Sequence, residues 1–226
     1  MGGISMFEGY SDKTVDFFWQ IRFNNSREWF QPRREEFQEV IMKPTKALAG
    51  ELFDWFQSNY PDLHLNLHVS RIYRDARRLF GRGPLKDHIW FSFQNEIEKR
   101  AEAPCFWFEV GCDGYSYGMG FYGAGAETAA RYRRQIDLDP GKLETLAEAI
   151  EKQDTFALEG PEYARPKGHR GEKIEHWYNK RHLSLNCDRN YDELCYSPAL
   201  VDALKEGYRF LMPYYQYMDR AYRSAE

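Results

Sequence analysis

Apolar residues recur every three or four positions through the first sixty residues, and then at every second position. Val15, Phe18 and Trp19 lie on neighbouring turns behind Ser11, which can cap a helix ending at Asn24–Asn25. Ser26 can cap the next helix, which opens Arg27-Glu28-Trp29-Phe30. Phe37, Val40, Ile41, Leu48, Leu52, Phe53 and Phe56 follow at helical spacings. Pro44 falls inside this stretch and must kink or restart the helix, because it has no N–H to donate. Tyr60–Pro61 closes the helical region.

The period then shortens. Leu63, Leu65, Leu67 and Val69 alternate with His64, Asn66, His68 and Ser70, which predicts a strand with one polar face. Ile89–Gln94 and Cys105–Gly111 predict further strands. Asp113–Gly114 predicts a hairpin turn into Tyr115–Phe121, since both residues tolerate positive φ. Helices are expected over Ala126–Gln135 and Gly141–Lys152, the latter capped by Asp139 with Pro140 in its first turn. Leu183–Cys187 reads as a last strand. Ser197–Pro198 opens a C-terminal helix carrying Leu200, Val201, Leu204, Tyr208 and Leu211, with a bend expected at Pro213. Helices, antiparallel strands and helices again predict one α+β domain over residues 6–226, a mainly antiparallel sheet packed by N-terminal and C-terminal helices. Met1–Ser5 reads as a leader left by cloning ahead of Met6.

Composition adds three constraints. Six Trp, 16 Tyr and 16 Phe make 17% of the 226 residues, enough for an aromatic core with rings to spare for a binding surface. No apolar run approaches the roughly 18 residues of a membrane span, so no membrane partner is expected. The four cysteines form no C-x-x-C pair, so they read as free thiols of a reducing, cytoplasmic compartment.

The net charge of −4 conceals an asymmetry. Residues 70–88 carry +4 and residues 163–182 carry +4, leaving −12 on the rest. Two basic islands on an acidic body suggest a local anion site rather than a general polyanion binder. The blander account is a pair of solvated loops matched by surface acids. In the first island, Arg71, Tyr73 and Asp75 would share one face of a strand, with Ile72 and Arg74 on the other. Gly81, Gly83 and Pro84 allow the chain to fold back, bringing Lys86 and His88 to the strand end. An Arg74–Asp75 pair would hold the guanidinium fork in one orientation. His88 is the residue suited to acid–base work among these cations, with Asp75 beside it.

Other chemistries find less support. Gly118-Met119-Gly120-Phe121-Tyr122-Gly123 matches a dinucleotide fingerprint in letters, yet its strand belongs to a hairpin. A glycine-rich strand running beneath bulky aromatics is the simpler reading. His64 and His68 would sit about 13 Å apart on a strand, too far to share one metal ion. No Gly-x-Ser-x-Gly elbow is present. No metal and no cofactor are implied.

The chain resembles the DUF2461 family, described as conserved proteins of unknown function. The matching pieces are Phe7-Glu8-Gly9-Tyr10, Asn24-Asn25-Ser26-Arg27-Glu28-Trp29-Phe30, Pro44, Arg71-Ile72-Tyr73-Arg74-Asp75-x-Arg77 and Pro84-x-Lys86-x-His88. Gly118–Gly125, Arg131–Ile136, Arg165-Pro166-Lys167-Gly168 and Trp177-x-x-Lys180 complete the set, over roughly residues 6–222. The resemblance implies an α+β fold and no assigned activity. The chain departs from the family pattern at Gly81, Arg82 and Leu85, where that pattern has an acid, a lysine and a tyrosine.

Two functions are carried forward. In one, Arg71, Tyr73, Arg74, Arg77, Lys86 and Lys180 line a pocket for a phosphate- or carboxylate-bearing small molecule, with His88 and Asp75 available for catalysis. In the other, the same strip grips single-stranded nucleic acid or an acidic protein without chemistry.

Overall fold

The computed structural model describes residues 6–95, 102–121 and 123–224. The leader expected at Met1–Ser5, and Tyr122 of the glycine-rich run, lie outside them.

The helical start follows local chemistry closely. Helix α1 (Asp12–Phe23) is capped by Ser11 in a reciprocal box with Thr14. Helix α2 (Arg27–Phe30) is capped by Ser26, whose hydroxyl accepts from the Trp29 N–H at 3.1 Å. A 3-10 turn (Gln31–Arg33), helix α3 (Arg34–Phe37) and a π turn (Gln38–Met42) lead into α4 (Lys43–Asn59). The π turn explains how Pro44 is accommodated. Pro44 cannot donate to the carbonyl of Val40, four residues back, and Thr14 of α1 donates to that carbonyl at 2.7 Å. Thr45 donates to Ile41 at 2.7 Å and meets the Tyr10 hydroxyl at 3.1 Å. Both threonines are fully buried, and each hydroxyl donates to a backbone carbonyl of the π turn.

The strands are β1 (Asn66–Val69), β2 (His88–Gln94), β3 (Pro104–Gly111), β4 (Gly114–Phe121), β5 (Ala157–Glu159) and β6 (Ser184–Arg189). They form one antiparallel sheet in the order β1-β2-β3-β4-β6-β5, and the chain is an α+β domain as expected. Helices α5 (Ala126–Leu138), α6 (Pro140–Glu151), α7 (Glu175–Asn179) and α8 (Ala199–Arg223) supply the rest. Asp139 caps α6, accepting from Lys142 N–H at 3.2 Å. Among the described residues the four cysteines are buried and none is in a disulfide.

Three local expectations are corrected. Residues 61–63 form a 3-10 turn, not the start of a strand, and His64 has φ of +49°. Pro61 fixes its own φ for that turn, and the His64 N–H closes it on the Pro61 carbonyl at 3.2 Å. The hairpin turns at Cys112–Asp113, one residue early, because Gly114 at φ +144° already belongs to β4 and lies against the Arg189 carbonyl. What crowds Gly118 and Gly120 is the backbone of β6 rather than aromatic rings. A β-carbon on Gly118 would sit 2.1 Å from the Leu185 carbonyl oxygen. That close approach is the packing reason for Gly118 and Gly120.

Two compact units form within the chain. The first comprises residues up to 93, 107–116 and 188–206; the second comprises 94–106, 117–187 and the chain from 207. In the first, α1 and α4 bury Phe17, Phe18, Ile21, Leu48, Leu52 and Phe56, and Phe56 lies 4.9 Å from Phe93. Each such ring contributes at most roughly 4–6 kcal/mol of transfer free energy. In the second, Phe106 stacks on Tyr215 at 4.7 Å, and Trp177 stacks on Tyr214 at 6.2 Å.

Candidate functional site

The first basic island is a folded-back loop rather than a strand. Tyr73 bridges Leu85 antiparallel. Around that bridge Arg74 N–H donates to the Pro84 carbonyl and Lys86 N–H to the Ile72 carbonyl, both at 2.8 Å. Asn25, just before α2, fastens the fold: its Nδ2 donates to the Leu85 carbonyl at 2.9 Å, and its Oδ1 accepts the Leu85 N–H at 2.8 Å. Gly83 must be glycine for this approach, because a β-carbon there would lie 2.2 Å from Asn25 Oδ1.

The loop gathers cations. Arg71 is exposed and has no ion-pair partner among the described residues. Lys86 is half-buried, with Nζ 5.7 Å from the centre of the Trp90 ring. Burial pushes its pKa down to about 8; Arg74 and Arg71 add to that fall, and Glu109 opposes it. Arg74 has a 15% exposed side chain and donates from Nε to the Leu85 carbonyl at 2.9 Å.

The acidic partner of Arg74 is Asp87, not Asp75. Arg74 Nη2 reaches Asp87 Oδ1 at 3.4 Å. Asp75 caps the 3-10 turn Ala76–Arg78 and binds the guanidinium of Arg77 at 3.1 and 2.8 Å. Adjacent residues on an extended chain point apart, so Asp75 turns forward to its own cap instead of back to Arg74. Arg77, thus held, is 88% exposed.

Asp87 also accepts Arg22 Nε at 2.7 Å and lies 3.3 Å from His88 Nδ1. Burial opposes its charge most strongly, but the Arg22 hydrogen bond and charge, a backbone hydrogen bond and the His88 contact together outweigh it and lower its pKa. The other ring nitrogen of His88, Nε2, faces Glu109 Oε2 at 3.9 Å. Glu109 has a raised pKa: burial comes first, Asp87 and Asp188 add to it, and His88 and Lys86 oppose it. The carboxylates that approach His88 are therefore Asp87 and Glu109. These side chains, with Arg22, Tyr115 and Asp188, line a cavity of about 350 Å³. Arg22 is locked at its rim by a two-point pair with Asp113, at 2.9 and 2.7 Å.

Arg74, Lys86 and His88 thus come together around Asp87 and Glu109, and Arg71 is close enough to Lys86 to add to its lowered pKa. Tyr73 packs its ring edge-on against Phe30 at 5.8 Å beneath Arg27, so it supports the loop. Lys180 belongs to the second unit, where Nζ donates to the Gly160 carbonyl at 2.8 Å. Much of the second island is paired with acids, Arg170 with Asp137 and Lys173 with Glu148. Sequence reasoning missed Arg22, Asp87, Glu109 and Asp188. Asp87 beside His88, and Glu109 as a lone acid inside the apolar run Cys105–Val110, were the available signals.

The family model described as "Conserved hypothetical protein (DUF2461)" matches residues 13–217. A search of curated proteins found no match.

Proposed function

The chain belongs to the DUF2461 family, and from its site we propose that the Arg71–Arg74–Lys86 cluster binds a small anion, phosphate or carboxylate, with His88 as acid–base group. One observation carries this reading: Lys86 is half-buried against the Trp90 ring, where burial first, and then the like charges of Arg74 and Arg71, lower its pKa to about 8. Like charges held together cost free energy that an arriving anion offsets, and an ordinary solvated face would let them spread. The exposed guanidinium of Arg71 and the ammonium of Lys86 meet the anion. Arg74, tied to the Leu85 carbonyl and Asp87, adds charge from behind. Asp87 at Nδ1 orients the imidazole, leaving Nε2 on the Glu109 side to exchange a proton with the bound molecule.

Thermal melting with inorganic phosphate, sulfate, ribose 5-phosphate and citrate tests the reading. An anion at 100 times its dissociation constant adds about 2.7 kcal/mol, worth roughly 5–11 °C for a chain of this size. Lys86→Gln and Arg71→Gln should each remove most of that shift. No shift with any anion overturns the proposal. Affinity that collapses between low and moderate salt would favour a strip for a polyanion instead.

A further inference from the structure

Strand β2 buries Ile89, Phe91 and Phe93 on one face and carries His88 and Trp90 on the other, both half-buried. Its neighbours continue that second face. His68 of β1 lies 5.2 Å from the Trp90 ring. On β3, Phe106, Phe108 and Val110 are buried while Trp107 and Glu109 between them are half-buried. The Cys112 N–H bond to the Asp87 carbonyl, with His88 Cβ alongside Gly111, fixes the register. Trp90 therefore stands opposite Glu109, with Trp107 diagonal to it. Aromatic rings thus occupy three adjacent strands on the face that holds His88. Lys86 stands over the central ring, Nζ 5.7 Å from its centre.

A tryptophan on the polar face of a strand is not needed for the core, which Phe91 and Phe93 already fill from the other side. Its indole instead offers a π surface within reach of the cation that meets the anion. We infer that the anion carries a planar ring: the ligand is a nucleoside phosphate whose base stacks on Trp90 while its phosphate meets Lys86 and Arg71. The inference rests on the anion-binding reading above and narrows its ligand class.

Calorimetry on the full chain with adenosine monophosphate, ribose 5-phosphate and inorganic phosphate tests it. The base should tighten binding about tenfold or more over ribose 5-phosphate. Trp90→Leu should abolish that gain, so that the nucleotide and ribose 5-phosphate bind the variant alike, and Trp90→Phe should keep most of it. If Trp90→Leu does not fold, the wild-type comparison and Trp90→Phe still decide. Equal affinity for the nucleotide and the sugar phosphate overturns the inference and leaves the anion reading standing. Binding of none of the three overturns both. A ten-residue thymidine strand binding far more tightly than the mononucleotide, with steep salt loss, overturns the single-nucleotide site.

Discussion

Arg22 and Asp87 meet at 2.7 Å, Nε on Oδ2, at the rim of the cavity. This contact leaves Oδ1 to face His88 Nδ1 at 3.3 Å and Arg74 at 3.4 Å, so one carboxylate aligns three side chains from α1, the folded loop and β2.

Asp87→Asn should therefore destabilise the fold by about 1–3 kcal/mol, since it leaves charged donors poorly matched. The wild-type advantage has a pH window. The lowered pKa of Asp87 means that its contribution is present above the ordinary carboxylate value and is lost as pH falls through the lowered one. Melting curves for both proteins from pH 7 to pH 2.5 should converge at the acid end. A constant gap would show that the carboxylate charge is not what matters.

Lys86 should behave as an unusually reactive amine. With a pKa of about 8 it is half neutral at pH 8, where ordinary lysines are almost wholly charged. Brief acetylation at pH 8 followed by peptide mass spectrometry should find it modified ahead of the other lysines, and more slowly in Arg71→Gln. Because the folded pKa is lowered, the unfolded chain holds the extra proton between about pH 8 and the ordinary lysine value. This group accordingly makes stability rise with pH across that window.

Arg74→Lys tests the strap across the loop. Lysine keeps the charge but cannot serve the Leu85 carbonyl and Asp87 with one planar fork. The expected cost is about 1–2 kcal/mol, together with faster amide exchange at Leu85 and Lys86. Unchanged exchange there would remove Arg74 from the loop's support.

Much of the frame was legible because its causes are local. Ser11, Ser26 and Asp139 act within three residues of themselves, and the switch from helical to alternating period marks the turn to sheet. The expected carboxylate neighbour of His88 was misplaced because the choice depends on a register set at a distance. Glu109 reaches Nε2 only once β2 and β3 align through Asp87 and Cys112. Strand β5, three residues long, and helix α7, five residues long, are too short to show a period, and neither was anticipated.

Gly118→Ala should separate packing from nucleotide chemistry along β4. The added methyl would meet the Leu185 carbonyl at 2.1 Å, forcing the two strands to shift at a cost of about 1–3 kcal/mol. The melting point should fall by roughly 2–12 °C. A variant as stable as wild type would refute the close approach of β6.

The clasp at Asn25 has a consequence for the ageing of the molecule. Its amide imitates a strand neighbour, giving one donor and one acceptor to Leu85, and it closes a span of 60 residues. Hydrolysis of that amide to a carboxylate changes a single atom, yet it replaces the donor with an oxygen aimed at the Leu85 carbonyl. The two oxygens repel, and the loop carrying Arg71, Arg74 and Lys86 loses its fastening while the core keeps its packing. Stored protein should thus lose anion affinity before it loses its melting transition, with a mass gain of about one dalton on the peptide containing Asn25 as the timekeeper. The alignment of the cations hangs on a perishable bond.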